Sequence, residues 1–413
     1  MRILQINKFY FRGGISGGVG TYLFELNALL EKQGHEIIPF AMEHPDNVET
    51  PYAKYFVSQK DFSRPRLSLS TALRALYSRE AVRKITALVK ETKPDIAHVH
   101  IIYHQISPSI LKALKRLGVP IVMTMHDYKT FFPTPAPMAD SQSVANPDNY
   151  SPWRFIWGRA IKNSILASGF AVFETWLHKA MGLYRKTVDT YIAPSHFVED
   201  QIIALGAPAE RVTYLPHFIR CTEGQSSESS EDPYYVNIGR LSPEKDIMTL
   251  IRAHQVSQTK LTLRIAGTGS EEERLHKFVA ENNIKGVEFV GEQDRVGVEK
   301  LFRNARFAVV SSKYHETFGL TVLEAYCQEV PVIASRVGGL PELIESGKTG
   351  LLYDVGDVAT LADNIKRLSG DAILAQQWGI AGRKLVAQYA PERHIASLEN
   401  VYRAAQHNTT PDN

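Results

Sequence analysis

The chain has 413 residues with 44% hydrophobic and 22% charged content, so it is long enough for two ordinary domains and reads as globular rather than fibrous or disordered. Its formal net charge is +3, which excludes a strongly basic nucleic-acid binder, and no nucleic-acid partner is expected. No apolar run reaches the roughly 18 residues a spanning helix needs, and the N-terminus lacks the apolar core of a secretory signal.

In chain order, the first half alternates apolar runs with helical periodicity, the pattern of a parallel α/β sheet. Strands are predicted at Arg2–Ile6, Glu36–Phe40, Ile96–His100, Ile121–Met125, Thr190–Ala193 and Val212–Tyr214, with helices at Val19–Lys32, Thr71–Glu91, Ser107–Leu117 and Phe197–Leu205. After the first strand, Arg12-Gly-Gly-Ile-Ser-Gly17-Gly18-Val-Gly20 opens a helix, where glycines let a ligand approach the backbone. This run does not match G-x-G-x-x-G in register. His98 and His100 share a strand face, too few for zinc, and Thr124-Met-His126-Asp127 ends the next strand. Residues 132–152 form a long polar loop expected near an acceptor site. An aromatic, basic stretch follows, containing Trp153, Arg154, Trp157, Arg159, Lys162, Phe173 and Trp176. Such a helix can lie on a membrane surface or pack on its own domain.

Charge is unevenly spread. Residues 1–215 hold 25 Lys/Arg against 18 Asp/Glu, and the remainder 22 against 26. The excess between Lys60 and Lys129, which includes Arg64, Arg66 and Arg74, could face anionic lipid or a phosphorylated acceptor. Cys221 and Cys327 lack metal or redox spacing, so the reading has no disulfide and favours a reducing, cytoplasmic setting.

Residues 221–232 are rich in Ser and acid and read as a linker. A second α/β unit follows, with strands at Tyr234–Ile238, Leu261–Ala266, Val287–Val290, Phe307–Val310 and Pro331–Ala334. Helices are predicted at Lys245–Gln255, Glu271–Asn282, Val298–Asn304, Thr321–Gln328, Val358–Leu368, Ala372–Tyr389 and Pro391–Ala405. Gly239-Arg240-Leu-Ser-Pro-Glu-Lys245 joins a strand to a helix, where the helix dipole disfavours cations. Arg240 and Lys245 placed there argue for an anion, such as the diphosphate of a leaving nucleotide. In Glu316-Thr-Phe318-Gly319-Leu320-Thr321-Val-Leu-Glu324, two carboxylates flank a helix N-terminus whose amides attract phosphate. Two hydroxyl acceptors beside a pyrophosphate site suit a sugar nucleotide.

This run resembles the E-x7-E motif of the retaining family-4 glycosyltransferases. The Gly239–Lys245 segment, Ala266-Gly267-Thr-Gly269, Gly338-Gly339-Leu-Pro-Glu342 and Gly347–Gly350 follow in that family's order. The resemblance implies the GT-B fold: two Rossmann-like parallel-sheet domains facing a cleft, with a C-terminal helix crossing back to the first. Boundaries are placed at 1–218 (with 391–413) for the acceptor side and 219–390 for the nucleotide-sugar side. By resemblance, Gly17 and Gly18 lie against the donor pyrophosphate, Gly239, Gly267, Gly269, Phe318, Gly319, Leu320 and Thr321 line the donor, and Glu324 binds ribose hydroxyls. His126, Arg240, Lys245 and Glu316 form the catalytic set, with His126 near the reacting carbon and Glu316 on sugar hydroxyls. Asp127 would orient His126, and His100, Asp127 and Lys129 would face the acceptor. No cofactor or metal is implied. The usual Asn-Gly-Val/Ile-Asp is replaced by Pro216-His217-Phe-Ile219, and the long loop lacks the cysteine cluster of some relatives.

The expected activity is retaining, metal-independent transfer of a hexosyl unit from a nucleoside-diphosphate sugar. The expected acceptor is a glycan or polyprenyl-linked chain in cell-surface polysaccharide synthesis, reached from the cytoplasm with peripheral contact to an anionic membrane. A sugar-nucleotide 2-epimerase of the same fold is the alternative. An NAD-dependent oxidoreductase would need the missing fingerprint plus an acid ending strand two, where only Glu43 stands.

Overall fold

The structure is a computed structural model that describes residues 1–11, 17–60, 69–140, 142–221 and 233–407. The expectations for Arg12 to Ser16, for Arg64 and Arg66, and for most of the 221–232 linker therefore lie outside the described residues. The chain divides into two compact units. Unit 1 comprises residues 1–137, 144–217 and 392–413, and unit 2 comprises 138–143 and 218–391. Residues 138–143, placed by sequence in the first domain, thus belong to unit 2.

Unit 1 carries β1 (Arg2–Ile6), β2 (Glu36–Phe40), β3 (Ile96–Val99), β4 (Ile121–Thr124), β5 (Thr190–Ala193) and β6 (Val212–Tyr214). They form one parallel sheet ordered β2-β1-β3-β4-β5-β6. Its helices are α1 (Gly17–Lys32), α2 (Leu69–Leu76), α3 (Arg79–Thr92), α4 (Ser109–Arg116), α5 (Pro152–Trp157), α6 (Ile165–Ala180) and α7 (His196–Ala204). Strands β3, β4 and β5 are buried along their whole length, which is why they read as mainly apolar runs, His98 being the polar exception inside β3. The helix predicted over 71–91 is two helices. Ser78 leaves helical geometry (φ −98°, ψ 100°) and its side chain caps α3 by accepting from Ala81 N.

Unit 2 carries β7 (Tyr234–Ile238), β8 (Thr262–Ala266), β9 (Val287–Gly291), β10 (Ala305–Val310), β11 (Val332–Ser335) and β12 (Gly350–Tyr353), ordered β12-β11-β10-β7-β8-β9. Its helices are α8 (Ile247–Ser257), α9 (Glu272–Glu281), α10 (Arg295–Arg303), α11 (Leu320–Cys327), α12 (Leu340–Leu343), α13 (Val358–Gly370) and α14 (Ala372–Val386). Strand β12 was not anticipated. Two apolar clusters cover the sheet, one including Leu263, Ile265 and Leu361, the other Val236, Val322 and Tyr326. The last helix, α15 (Pro391–His407), lies almost wholly in unit 1, where Tyr402 OH bonds His98 Nδ1 at 2.7 Å.

The cysteine expectation is corrected: Cys221 and Cys327 form a disulfide, their Cα atoms 5.2 Å apart across 106 residues of sequence. The bond ties α11 to the segment that opens unit 2, and the composition-based argument for a reducing setting falls with it. No helix among the described residues is long and apolar enough to cross a membrane.

Candidate functional site

The order of the unit 2 sheet reverses between β7 and β10, and in open parallel sheets ligands bind beyond the carboxyl ends of strands at such a point. The loops after these two strands carry the Gly239–Lys245 and Ser311–Leu320 segments. Lys245 Nζ lies 2.5 Å from Glu316 Oε1. Ser312 donates to the same oxygen at 2.5 Å, and Tyr314 OH donates to Oε2. Ser311 Oγ donates to Lys245 O at 2.8 Å, which holds the lysine's backbone against the carboxylate's loop.

Glu316 is 7% exposed, so its carboxylate is held inside the loop. Burial alone would raise its pKa, but the Lys245 ammonium, followed by the Ser312 and Tyr314 hydroxyls, outweighs it and holds the carboxyl below its usual range. Lys245 keeps 28% of its side chain exposed, so the ammonium sits between a buried carboxylate and solvent.

Gly319, at φ 111°, caps α11, and Val322 N donates back to its carbonyl. The amides of Leu320 and Thr321 open the helix, where no carbonyl lies one turn back to receive them. Glu324 is half-buried one turn further on. Gly338 closes over the Glu316 backbone: a Cβ there would stand 2.2 Å from Glu316 O and 2.4 Å from its N, and its φ is +58°. Gly339 N donates to Glu316 O at 2.8 Å. A piece of the long polar loop braces the same segment, with Met138 bridging Tyr314 and Ala139 N donating to Lys313 O.

Three of the expected donor residues have packing roles of their own. Phe318 is 3% exposed and packs in the core near Tyr389. Gly267 and Gly269 serve a neighbouring loop, since a Cβ on either would strike the Gly239 or Leu241 carbonyl at 2.0 or 2.2 Å. Leu241 N donates to Thr268 O, so the two turns are one backbone-paired floor. Arg240 is exposed on its edge.

In unit 1 the expected residues gather beyond β3 and β4. His100 Nε2 meets Gln5 Oε1 at 2.9 Å, and its Nδ1 meets His126 Nε2 at 2.9 Å. With Gln5 accepting, His100 donates from Nε2 and receives the Nε2 proton of His126, leaving a lone pair on His126 Nδ1. Asp127 does not orient His126: it accepts from Tyr103 OH and from Lys129 N, both at 2.9 Å. Lys129 does not face an acceptor. Its side chain is 5% exposed and pairs with Glu174 at 2.8 Å, while Nζ also donates to Pro133 O. Burial would raise the Glu174 pKa, but Lys129, then His104, hold it down to about 2. His100 is likewise inside, 5% exposed, so it positions His126. Gly17 and Gly18 begin α1, with Gly18 exposed.

Sequence reasoning missed Gln5, Tyr22, His217, His394, Ser312 and Tyr314. His217 stacks on His126, Tyr22 lies against His217, and Tyr22 OH bonds His394 Nε2 at 3.0 Å. One signal was available: Gln5 is the lone polar residue inside an otherwise apolar β1 interior.

Burial first, then the neighbouring imidazoles, push the pKa of His98, His100, His126 and His217 well below the usual value, and burial pushes His394 down to about 4. The unfolded chain protonates these groups near pH 6.5, so below that value it binds more protons than the folded unit. Their contribution to stability is present above about pH 6.5 and lost as pH falls toward the depressed folded values. Each group costs up to about 1.4 kcal/mol per pH unit, so melting of unit 1 is expected to drop by at least about 5 °C per unit below pH 6.5. Calorimetry from neutral to acid pH checks this. A flat melting temperature would contradict a neutral buried cluster.

Comparison with known proteins agrees with this architecture. A model described as Glycosyltransferase Family 4 matches residues 16–223, and one described as Glycosyl transferases group 1 matches 222–385. N-acetyl-alpha-D-glucosaminyl L-malate synthase of Bacillus anthracis is 26% identical, covering 94% of this chain and 93% of that protein. Among solved structures, sucrose-phosphate synthase from Thermosynechococcus elongatus superposes with a TM-score of 0.72 at 21% identity, covering 98% of both chains. Anabaena HepE in complex with UDP and glucose gives 0.68 at 17%, covering 98% of this chain and all of that one. With its two parallel six-stranded sheets of GT-B type and a family model spanning half its length, the chain belongs to the family-4 glycosyltransferases.

Proposed function

We propose that this glycosyltransferase moves a hexosyl unit from a nucleoside-diphosphate sugar with retention of anomeric configuration and without a metal. The observation that carries the reading is the Lys245–Glu316 pair beside the N-terminus of α11 at the unit 2 switch point. Loss of a nucleoside diphosphate develops negative charge on the β-phosphate. Lys245 and the Leu320 and Thr321 amides are fixed positive groups of the kind that stabilise it, and Arg240 adds a mobile one. Glu316 is held by three side chains, an arrangement that suits binding and positioning more than attack on the sugar. A front-face path follows, in which the departing phosphate oxygen takes the acceptor's proton while the acceptor oxygen bonds the same face of C1. Glu324 would hold the ribose hydroxyls. His126 serves the transferred sugar by family resemblance, and its tautomer chain through His100 to Gln5 supports a neutral, fixed imidazole.

For the acceptor we propose a glycan or polyprenyl-linked chain of cell-surface polysaccharide synthesis, met at the cytoplasmic face of a membrane. The basic excess of residues 1–215 and the aromatic stretch after the long loop support this reading. The basic face is smaller than the sequence suggested. Arg74 is buried with Glu80, and Lys84 and Lys115 are paired with Glu80 and Asp189. The mechanism is tested by proton NMR of the product formed from an α-linked hexose donor in EDTA. An α-linked product is expected; a β-linked product, or dependence on a divalent metal, would overturn retention or metal independence respectively.

A further inference from the structure

Helix α6 is inside out. Its one carboxylate, Glu174, is 1% exposed and points inward to Lys129, while Ser168, Ala171 and His178 complete the buried stripe. Its outward face carries Leu166 at 72%, Phe173 at 46% and Trp176 at 61% exposure. From Ile165 to His178 that face has no charged residue. Helix α5, packed beside it, adds Trp153 and Trp157, 70% and 66% exposed, with only Phe155 buried. An ordinary surface helix turns its polar face to water. Here solvent meets large apolar side chains on two adjoining helices, a patch that marks an interaction site.

The charges around the patch say what covers it. Residues 151–187 hold Arg154, Arg159, Lys162, Lys179, Arg185 and Lys186 against Glu174 alone, and that acid is buried. Tryptophans and aliphatic residues flanked along the chain by these cations, with no exposed acid within residues 151–187, match the boundary between headgroups and acyl chains of an anionic leaflet. We propose that the α5–α6 hairpin is an interfacial anchor that seats unit 1 on an anionic bilayer by inserting Trp153, Trp157, Leu166, Phe173 and Trp176. The anchor rests on exposure and charge alone, so it stands or falls independently of the transferase mechanism.

The chain supplies its own reporter, since three of its four tryptophans lie on the patch and the fourth, Trp378, is 6% exposed. The full chain is mixed with phosphatidylglycerol-containing vesicles or with pure phosphatidylcholine, and intrinsic fluorescence is followed. Expected are a shift to shorter wavelength, loss of iodide quenching and quenching by brominated acyl chains, all with the anionic vesicles and all weakened by salt. Leu166→Glu with Phe173→Glu, both on the exposed face, should weaken partitioning at least about tenfold while leaving far-UV circular dichroism and melting unchanged. Arg154→Gln with Arg159→Gln should weaken it while leaving the apolar face intact. Absence of a shift, or partitioning that neither pair of substitutions alters, would overturn the proposal. So would iodide exclusion before any vesicle is added together with a doubled molar mass, which would assign the patch to a second copy of the chain.

Discussion

Lys245→Ala is expected to slow transfer by about 100-fold, the loss typical when a fixed group facing developing transition-state charge is removed. The substitution also leaves Glu316, 7% exposed, without its ammonium partner. Removing one partner of a fully buried pair costs about 3–5 kcal/mol; with Lys245 28% exposed, about 1–3 kcal/mol is expected. A second substitution separates the two effects. Lys245→Met with Glu316→Gln removes the stranded carboxylate, so it should recover most of the melting temperature while the rate stays low. Recovery of rate together with stability would mean that Lys245 only supports the loop.

Gly338→Ala should displace the Glu316 loop of unit 2. A φ of +58° already costs a side chain about 1 kcal/mol, and the new Cβ would meet the Glu316 carbonyl and amide at 2.2 and 2.4 Å. Backbone cannot swing aside as a flexible side chain can, so a loss of about 3 kcal/mol or more is expected, with displacement of the Glu316 loop. Melting monitored with and without a nucleoside diphosphate checks both consequences. Normal melting with a normal ligand response would show that the loop is not braced by this contact.

The fold was largely legible because both sheets are parallel and covered on both faces. Strands such as Ile121–Thr124 and Tyr234–Ile238 then appear as mainly apolar runs. β12 escaped because Gly350–Tyr353 is short and emerges directly from a Gly-rich turn. The break at Tyr77–Ser78 escaped because helical apolar spacing continues through it, and only the capping serine marks the restart.

In the candidate site, the groups that carry charge were visible as letters against their local preference, Lys245 near a helix start being the clearest. Their partners were not, since Lys245 meets Glu316 across 71 residues and His126 meets His100 across 26. Lys129 shows the limit from the other side: a lysine after a strand reads as solvent-facing, and only the inward turn of Glu174 on α6 makes it buried. The pairing of Cys221 with Cys327 likewise follows from where α11 ends and not from any spacing.

The central claim is that the unit 2 loops bind the diphosphate of a sugar nucleotide through Lys245 and the start of α11. It is tested most directly by thermal shift of the full chain with UDP, GDP, ADP and NAD, each with and without EDTA, in the wild type and in Lys245→Ala. A ligand at millimolar concentration with micromolar affinity adds about 4 kcal/mol to the folded state. The account predicts such a shift with one nucleoside diphosphate, unchanged by EDTA and reduced at least about tenfold in affinity by the substitution. Stabilisation by NAD alone, or a diphosphate shift that Lys245→Ala leaves intact, would contradict it.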